Sequence, residues 1–400
     1  MRFFGDLLPY EDALGAILKN TLPVSRTEIL PIDDALGRVL ACDVIALHNT
    51  PPFNRAMVDG FAVLANDTAL ASSTSPVRFE LSEVVYAGAL PIKEVISGQC
   101  AQIATGAGVP SGADAVVMVE DTQRDGETLL VLKPVRTGGN IGPLGGDIAK
   151  GEVLLKTGAI LGASLIGVLA SQGLSSVEVY VKPIVAILPT GEEIVPLGAP
   201  LKDGQIYDIN THTLAAMVRL QGGEPYVLPI VGDRVEDIDN ALSEAVKADL
   251  VLTSGGSSVG EKDLLLGIVE KRGQVFFRGV KIKPSKPTTF SMVDGKPILG
   301  IPGNPTSCLM ASYLFLVPAL RYMANLSDNA TRTVTAKIVT GISADNERRQ
   351  FLTVKVENGL AYPVFKTSSA ITSMSEATGY VVVPEMVSLE QGAMVTVILL

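Results

Sequence analysis

Two glycine-rich turns carry the residue types best suited to chemistry. One is Thr253-Ser254-Gly255-Gly256-Ser257-Ser258-Val259-Gly260-Glu261-Lys262-Asp263 and the other Ile301-Pro302-Gly303-Asn304-Pro305. Each follows a short apolar run (Leu250-Val251-Leu252 and Pro297-Ile298-Leu299-Gly300) and each leads into a helix-like segment. An apolar run that stops at glycines and resumes as a helix reads as the carboxyl end of a buried parallel strand. Open α/β sheets bind ligands at that edge. Glycines let backbone N–H groups approach an anion closely, and the following helix turns its positive end toward it. Carboxylates border the same edge: Glu192, Glu193, Asp208, Asp233 and Asp263. Asp59 and Asp147 sit in glycine-containing turns elsewhere. Surface turns often contain Asp for no functional reason; the alternative is a site that handles a metal oxyanion or Mg²⁺ through oxygen ligands. Lys281, Lys283 and Lys286 alternate with apolar residues and prolines, as a solvated strand edge or as anion ligands. Taken together, these groups suit a phosphorylated substrate with a divalent ion.

The elements that must position these residues are legible in the chain order. From about Lys182 to Asn325 strand and helix alternate, with strands at Ile184–Leu188, Tyr226–Val231, Leu250–Leu252 and Ile298–Ile301 in a mostly parallel sheet. Their carboxyl ends carry Pro189-Thr190-Gly191-Glu192-Glu193, Gly232-Asp233, Ser254-Gly255-Gly256 and Pro302-Gly303-Asn304-Pro305. Asn210 is expected to cap a helix running to Leu220, and Val275 to Val293 to form a hairpin-like excursion. Residues 1–47 read as helices, at Tyr10 to Asn20 and at Ile32 to Gly37. From Val77 to Val135 a period of two predicts a small β domain, with Asp125-Gly126 as a hairpin turn between Val116–Glu120 and Leu129–Leu132. A helical pattern returns at Ser164 to Ser171. Thr331 to Leu400 reads as strands of a small barrel or sandwich.

The 400 residues are long enough for two to four domains, and 47% hydrophobic residues with a positive mean hydropathy of +0.35 point to well-packed cores. The longest apolar stretch, Ala159 to Ala170, is too short for a bilayer span. Asp6, Glu11 and Asp12 stand where a secretory signal would be apolar, so a cytoplasmic protein is expected. Three cysteines far apart and two histidines argue against a disulfide framework, a zinc ribbon or a His-based metal site. The formal charge of −10 argues against a general nucleic-acid binder. The sequence contains no P-loop, no G-x-G-x-x-G and no Ser/His/Asp triad signature.

A set of motifs resembles the MoeA/gephyrin E-domain family of molybdopterin molybdenumtransferases over essentially the whole chain and in the family's order. It comprises Pro52-Phe53-Asn54-Arg55-Ala56-Met57-Val58-Asp59-Gly60-Phe61-Ala62-Val63, Ala104-Thr105-Gly106-Ala107, Gly145-Gly146-Asp147-Ile148, Pro189-Thr190-Gly191-Glu192-Glu193-Ile194, Gly204-Gln205-Ile206-Tyr207-Asp208-Ile209-Asn210, Thr253–Asp263, Lys283-Pro284-Ser285-Lys286-Pro287 and Ile301–Pro305. The resemblance implies insertion of molybdenum from molybdate (or tungsten from tungstate) into adenylylated molybdopterin, with Mg²⁺-dependent release of AMP. It implies a multidomain α/β and β fold. Residues 1–47 with 147–181 would form a helical dimerisation domain and 48–146 an inserted β domain. Residues 182–327 would form a MogA-like doubly wound α/β domain, and 328–400 a β-barrel-like domain. It also implies a homodimer, a MogA-type adenylyltransferase as partner, and molybdoenzyme acceptors.

Carried over by motif position, Asp59, Asp147, Glu193, Asp233, Asp263 and Lys283 would be catalytic, with Asp233 and Asp263 as Mg²⁺ ligands. Thr105, Thr190, Gly191, Ser254, Gly255, Gly256, Ser257, Pro302, Gly303, Asn304, Pro305 and Ser369 would bind the pterin and nucleotide. The sequence departs from the family at Ala56-Met57-Val58-Asp59-Gly60-Phe61, where Ser-Ala-Met-Asp-Gly-Tyr is usual. It departs again at Gly142-Pro143-Leu144, where many members carry basic residues. A MogA-like adenylyltransferase would share the α/β part but would not need residues 48–146 or 330–400. A non-catalytic scaffold on the same fold would not need Asp59.

Overall fold

The computed structural model describes residues 7–255, 264–326, 332–345 and 347–400. The chain forms two compact units, one of residues Met1–Ile29, Gly37–Ala41 and Glu178–Leu400, the other of Leu30–Leu36 and Cys42–Val177.

In the larger unit a six-stranded sheet runs in the order Glu224–Val227, Ile184–Pro189, Leu250–Ser254, Lys296–Ile301, Thr289–Val293, Gly273–Arg278. The first four strands are mutually parallel and the last two antiparallel, as the expected hairpin requires. The strand expected at Tyr226–Val231 is shorter and earlier, at Glu224–Val227. Val231 nevertheless returns to bridge Thr190 in parallel, so its segment still borders the crevice.

Alternation along each strand divides the core in two. Val185, Ile187, Leu250, Leu252, Leu299 and Ile301 face one cluster with Leu214, Val218, Leu314 and Phe315. Ala186, Leu188, Val251 and Ile298 face the other with Ile238, Leu242 and Ile268. Helices Asn210–Leu220 and Val317–Met323 thus cover one face, and Val235–Ala245 and Leu264–Arg272 the opposite one. That is the doubly wound arrangement expected. Nearly continuous apolar strands are what burial on both faces demands.

The helix Tyr10–Lys19 packs Ala13 and Ile17 into the first of these clusters. The cluster also takes in Phe351 and Met374, so the carboxyl-terminal strands share its core. Those strands close on themselves: Arg349–Glu357, Leu360–Pro363, Thr333–Ile338, Met394–Leu399 and Gly379–Val383, the last pairing back to the first. The expected β-barrel-like part is therefore a closed five-stranded sheet. Ile282–Lys283 joins it as an edge, parallel to Arg349-Gln350.

In the smaller unit a six-stranded sheet runs Ala115–Met118, Gly60–Val63, Gln99–Ile103, Val77–Val85, Thr128–Val131, Thr122–Asp125. Asp125 and Thr128 close the expected hairpin, with Gly126 at a φ of +62°. Its first arm is not Val116–Glu120. A one-turn 3₁₀ helix at Val119–Asp121, tied by the Thr122 hydroxyl donating to the Val119 carbonyl at 2.8 Å, interrupts the chain. The arm restarts at Thr122, and Ala115–Met118 pairs with Gly60–Val63 instead. The reading of residues 1–47 as wholly helical is likewise corrected. Thr27–Pro31 is a strand and Ile32–Asp34 a single 3₁₀ turn. Between Pro31 and the stop at Gly37 too few residues remain to repay α-helix nucleation. The helix Ala163–Ser171 is present as expected. Among the described residues, no helix is long and apolar enough to cross a membrane.

Candidate active site

The sheet order places a topological switch between Ile184–Pro189 and Leu250–Ser254. The chain leaves the former to make the strand on one side, then returns to make the strand on the other. Loops leaving these two neighbours part in opposite directions and open a crevice beyond their carboxyl ends. Thr190-Gly191 lies on one side and Ser254-Gly255 on the other. The Thr190 N–H donates to the Ser254 carbonyl at 3.1 Å and the Gly191 N–H to the Val231 carbonyl at 3.3 Å. Gly255 adopts a φ of +98°, and a Cβ there would stand 2.3 Å from the Thr190 carbonyl oxygen. Only glycine permits this approach of two backbones.

The Pro302–Pro305 turn joins them from the next parallel strand. The side-chain amide of Asn210 donates to the Ser254 hydroxyl at 2.9 Å and to the Gly303 carbonyl at 2.7 Å, tying the two glycine-rich turns together. Asn210 is therefore not the helix cap. Asp208 takes that role, its Oδ1 accepting from the Thr211 N–H at 3.0 Å, which frees Asn210 to face the turns. Asp208 and Asn210 are both nearly buried, and the Oδ1 of Asn210 and the Oγ1 of Thr190 and Thr211 have no hydrogen-bond partner among the described residues. Glu193 lies in the loop from Thr190 toward Asn210, where Ile194–Val195 pairs with Ile206–Tyr207. Its carboxylate folds back so closely on Gly191 that a Cβ there would meet it at 2.7 Å.

The carboxyl-terminal strands contribute the segment around Ser369. Asn304 donates through its amide to the Ser368 hydroxyl at 3.2 Å. Thr306 donates from its N–H to the Ser368 carbonyl at 3.0 Å and from its hydroxyl to the Ala370 carbonyl at 2.7 Å. Ser369 itself shares a 3.1 Å hydroxyl contact with Thr367.

Lys283 lies in the strand Ile282–Lys283, on the edge of the barrel-like sheet. Its ammonium is 3.8 Å from Asp345, which also pairs with Arg348 at 2.9 Å. Burial works to raise the Asp345 carboxyl, yet the N–H groups of Glu347 and Arg348 and the Arg348 guanidinium outweigh it and leave it below the usual carboxylate range. The Lys283 loop is pinned by Ser285, whose hydroxyl donates to the Ser307 carbonyl at 2.6 Å. Asp345 and Arg348 were missed by sequence reasoning, since nothing in the sequence shows that Lys283 would join a sheet built sixty residues later.

In the smaller unit Asp59 stands at the start of Gly60–Val63. Its Oδ1 accepts from the Thr105 N–H at 2.7 Å and the Thr105 hydroxyl at 2.8 Å. Those two donors hold its exposed carboxyl below the usual carboxylate range. Gly60 is required beside it because a Cβ would stand 2.0 Å from the Val117 carbonyl. Asp147 is exposed just after a turn closed by the Gly146 N–H donating to the Pro143 carbonyl at 3.0 Å, and its own N–H donates to the Thr50 carbonyl at 3.0 Å. The structure thus brings Thr190, Gly191, Glu193, Ser254, Gly255, Gly303 and Asn304 to one edge, with Ser368 and Ser369 beside Asn304. It pairs Asp59 with Thr105 in the other unit. Gly256, Ser257 and Asp263 lie outside the described residues.

Among the described residues no three His, Cys, Asp or Glu side chains converge in a cation cage. Mg²⁺ that arrives with substrate phosphates needs only one or two protein carboxylates. Asp233 is exposed two residues beyond Val231, which lies against Thr190-Gly191. An oxygen donor beside glycine-rich backbone fits that manner of binding. Burial pushes the Cys308 thiol up, so this cysteine behind the Pro302–Pro305 turn is inert rather than nucleophilic.

A doubly wound sheet with a glycine-lined crevice at its switch point, joined to a closed β sheet and a second β-rich unit, defines a multidomain α/β protein with a MogA-like domain. Residues 8–173 match the MoeA N-terminal region (domain I and II), 186–322 the probable molybdopterin binding domain, and 335–400 the MoeA C-terminal region (domain IV). The chain belongs to the MoeA family. It is 36% identical over 370 residues to the molybdopterin molybdenumtransferase of Bacillus subtilis (strain 168), covering 90% of this chain and 86% of that protein. It is 30% identical over 386 residues to the molybdopterin molybdenumtransferase of Staphylococcus aureus (strain MRSA252), covering 94% and 91%. Among solved structures it superposes on a molybdopterin biosynthesis MoeA protein from Pyrococcus horikoshii with a TM-score of 0.87 at 39% identity, over 98% of this chain and 99% of that one. A second MoeA protein from Pyrococcus horikoshii OT3 gives 0.84 at 32% identity, over 99% and 100%.

Proposed function

We propose that this chain is a molybdopterin molybdenumtransferase that inserts molybdenum from molybdate, or tungsten from tungstate, into adenylylated molybdopterin and releases AMP. The observation that carries this reading is the switch-point crevice, where Thr190-Gly191, Ser254-Gly255 and Gly303-Asn304 converge in a chain similar over nine-tenths of its length to a protein of that name. Thr190, Gly191, Ser254, Gly255, Gly256, Ser257, Pro302, Gly303, Asn304 and Pro305 hold the pterin and the phosphates, with Thr105 and Ser369 completing the set. The crevice's backbone N–H groups and the Lys283 ammonium stabilise negative charge as it shifts toward the departing AMP. Asp59, Asp147 and Glu193 orient the oxyanion and exclude misplaced anions. Asp233 with Asp263 would hold Mg²⁺, which when bound neutralises phosphate charge.

The domain reading that accompanies this activity is the division into 1–47 with 147–181, 48–146, 182–327 and 328–400, supported by the successive family matches. A cytoplasmic homodimer supplied by a MogA-type adenylyltransferase, and delivering to molybdoenzymes, completes the proposal. Purified protein given adenylylated molybdopterin, Mg²⁺ and molybdate should release AMP. Given unmodified molybdopterin and ATP it should not form the adenylylated compound. Efficient ATP-dependent adenylylation would instead support the MogA-like activity.

A further inference from the structure

We infer that Asn210 is a positioning residue for this site, holding the Ser254-Gly255 turn and the Pro302–Pro305 turn at a set separation; the inference rests on the function proposed above. Its Nδ2 is the only donor among the described residues seen to reach both turns, at 2.9 Å to the Ser254 hydroxyl and 2.7 Å to the Gly303 carbonyl. The two turns leave adjacent parallel strands, paired as Ser254 with Ile301. Beyond that last pair the ladder ends, and Gly255 and Gly303 approach without side chains between them; a Cβ on Gly303 would stand 3.6 Å from the Gly255 Cα. Two glycine turns with no interposed side chain have no packing to set their spacing. A bifurcated amide clamp supplies it.

Asn210 is suited to the task in three ways. It begins the helix Asn210–Leu220, whose Leu214 and Val218 are wholly buried, so its backbone is anchored to the core. Asp208 caps that helix, so the Asn210 amide is not drawn back to its own N-terminus. Its side chain is nine-tenths buried, and its Oδ1 has no partner among the described residues. A buried amide held by its donors alone costs more to keep than an apolar residue of the same shape. A purely structural requirement would be met more simply. Displacement of a reacting group by about 1 Å can cost on the order of 10²-fold in rate, and that is the loss expected when the clamp is cut.

The test compares full-length wild type with Asn210→Ala and Asn210→Asp, at temperatures well below the melting point of each. Hydrogen exchange of the free proteins is followed at peptides covering 253–255 and 301–305. Both variants should exchange faster there, with the helix around Leu214 unchanged, and should lose about 10²-fold in kcat/KM. An aspartic acid can donate only when protonated, so the ratio of Asn210→Asp to wild-type kcat should rise as pH falls from about 8 to about 5.5. Unchanged exchange at both turns would overturn the clamp. Loosened turns with wild-type kcat/KM, or an Asn210→Asp deficit that does not change with pH, would overturn the positioning role. Wild-type protein that releases no AMP would defeat the proposed function, while the exchange comparison would still decide whether the clamp exists.

Discussion

Asp59, one of the carboxylates proposed for the site, is set by a single neighbouring residue. It is fully exposed, yet the Thr105 N–H and hydroxyl both donate to one of its oxygens and depress its pKa. A carboxyl whose folded pKa lies below its unfolded value adds stability above the unfolded pKa and loses it as pH falls through the folded one. For Asp59 that loss falls below about pH 4, under the ordinary aspartate value. Asp59 should therefore remain an anion throughout the working pH range. Thr105→Val removes the hydroxyl donor and leaves the N–H. The Asp59 pKa, followed by NMR titration, should rise toward the ordinary value without reaching it. An unchanged pKa would show that the N–H alone sets the charge. Asn210 makes the complementary point: its type and position suggested a helix cap, but the nearby Asp208 was better placed to reach the Thr211 N–H.

At the scale of elements, the crevice depends on how parallel strands end. Strands Ile184–Pro189 and Leu250–Ser254 run in register to the pair Pro189 with Ser254, and the chain then turns through Thr190-Gly191 and Gly255. Gly255 meets two independent demands there, a φ of +98° and a 2.3 Å approach of any Cβ to the Thr190 carbonyl. Gly255→Ala should cost about 1–3 kcal/mol of stability from backbone strain. Activity should fall further than that loss explains, because the Thr190 backbone must move to admit the methyl group. Thermal denaturation and AMP release on the same preparation check this. Equal stability would show that the loop relaxes freely. Glycine spacing after an apolar run was enough to locate this turn in the sequence, since the pattern reflects the same steric demand. The hairpin arm at Thr122–Asp125 was not legible, because a single 3₁₀ turn shifts a strand without changing its alternation.

For the whole molecule, the core that supports the crevice draws on distant parts of the chain. Tyr10 stacks edge-on against Phe351 at 5.3 Å between ring centroids and lies 5.6 Å from Phe315. The amino-terminal helix, the α/β sheet and the closed carboxyl-terminal sheet therefore form one apolar cluster. We propose that in the dimer each site would combine Asp59 of one chain with Asp263 of its partner. Asp59→Ala and Asp263→Ala homodimers should each be nearly inactive, and mixing them under conditions of subunit exchange should restore activity. One of the two sites in each heterodimer regains every wild-type group. Exchange confirmed by mass spectrometry with no recovery would place each site within a single chain.

The sequence by itself determined the doubly wound sheet, its four parallel strands and the glycine turns that end them. Local signals carry all of these: apolar runs long enough for strands, glycines where φ must be positive, and alternation that separates two buried faces. Its motif order also sufficed to name the family. Only the tertiary structure decided which side chain would reach which turn. Lys283 pairs with Asp345, Ser368 meets Asn304 and Asn210 bridges two loops because strands remote in sequence close one sheet and dock on another. Contacts between residues sixty or ninety positions apart depend on where whole elements pack, and that placement is set by burial of the shared core rather than by any local pattern.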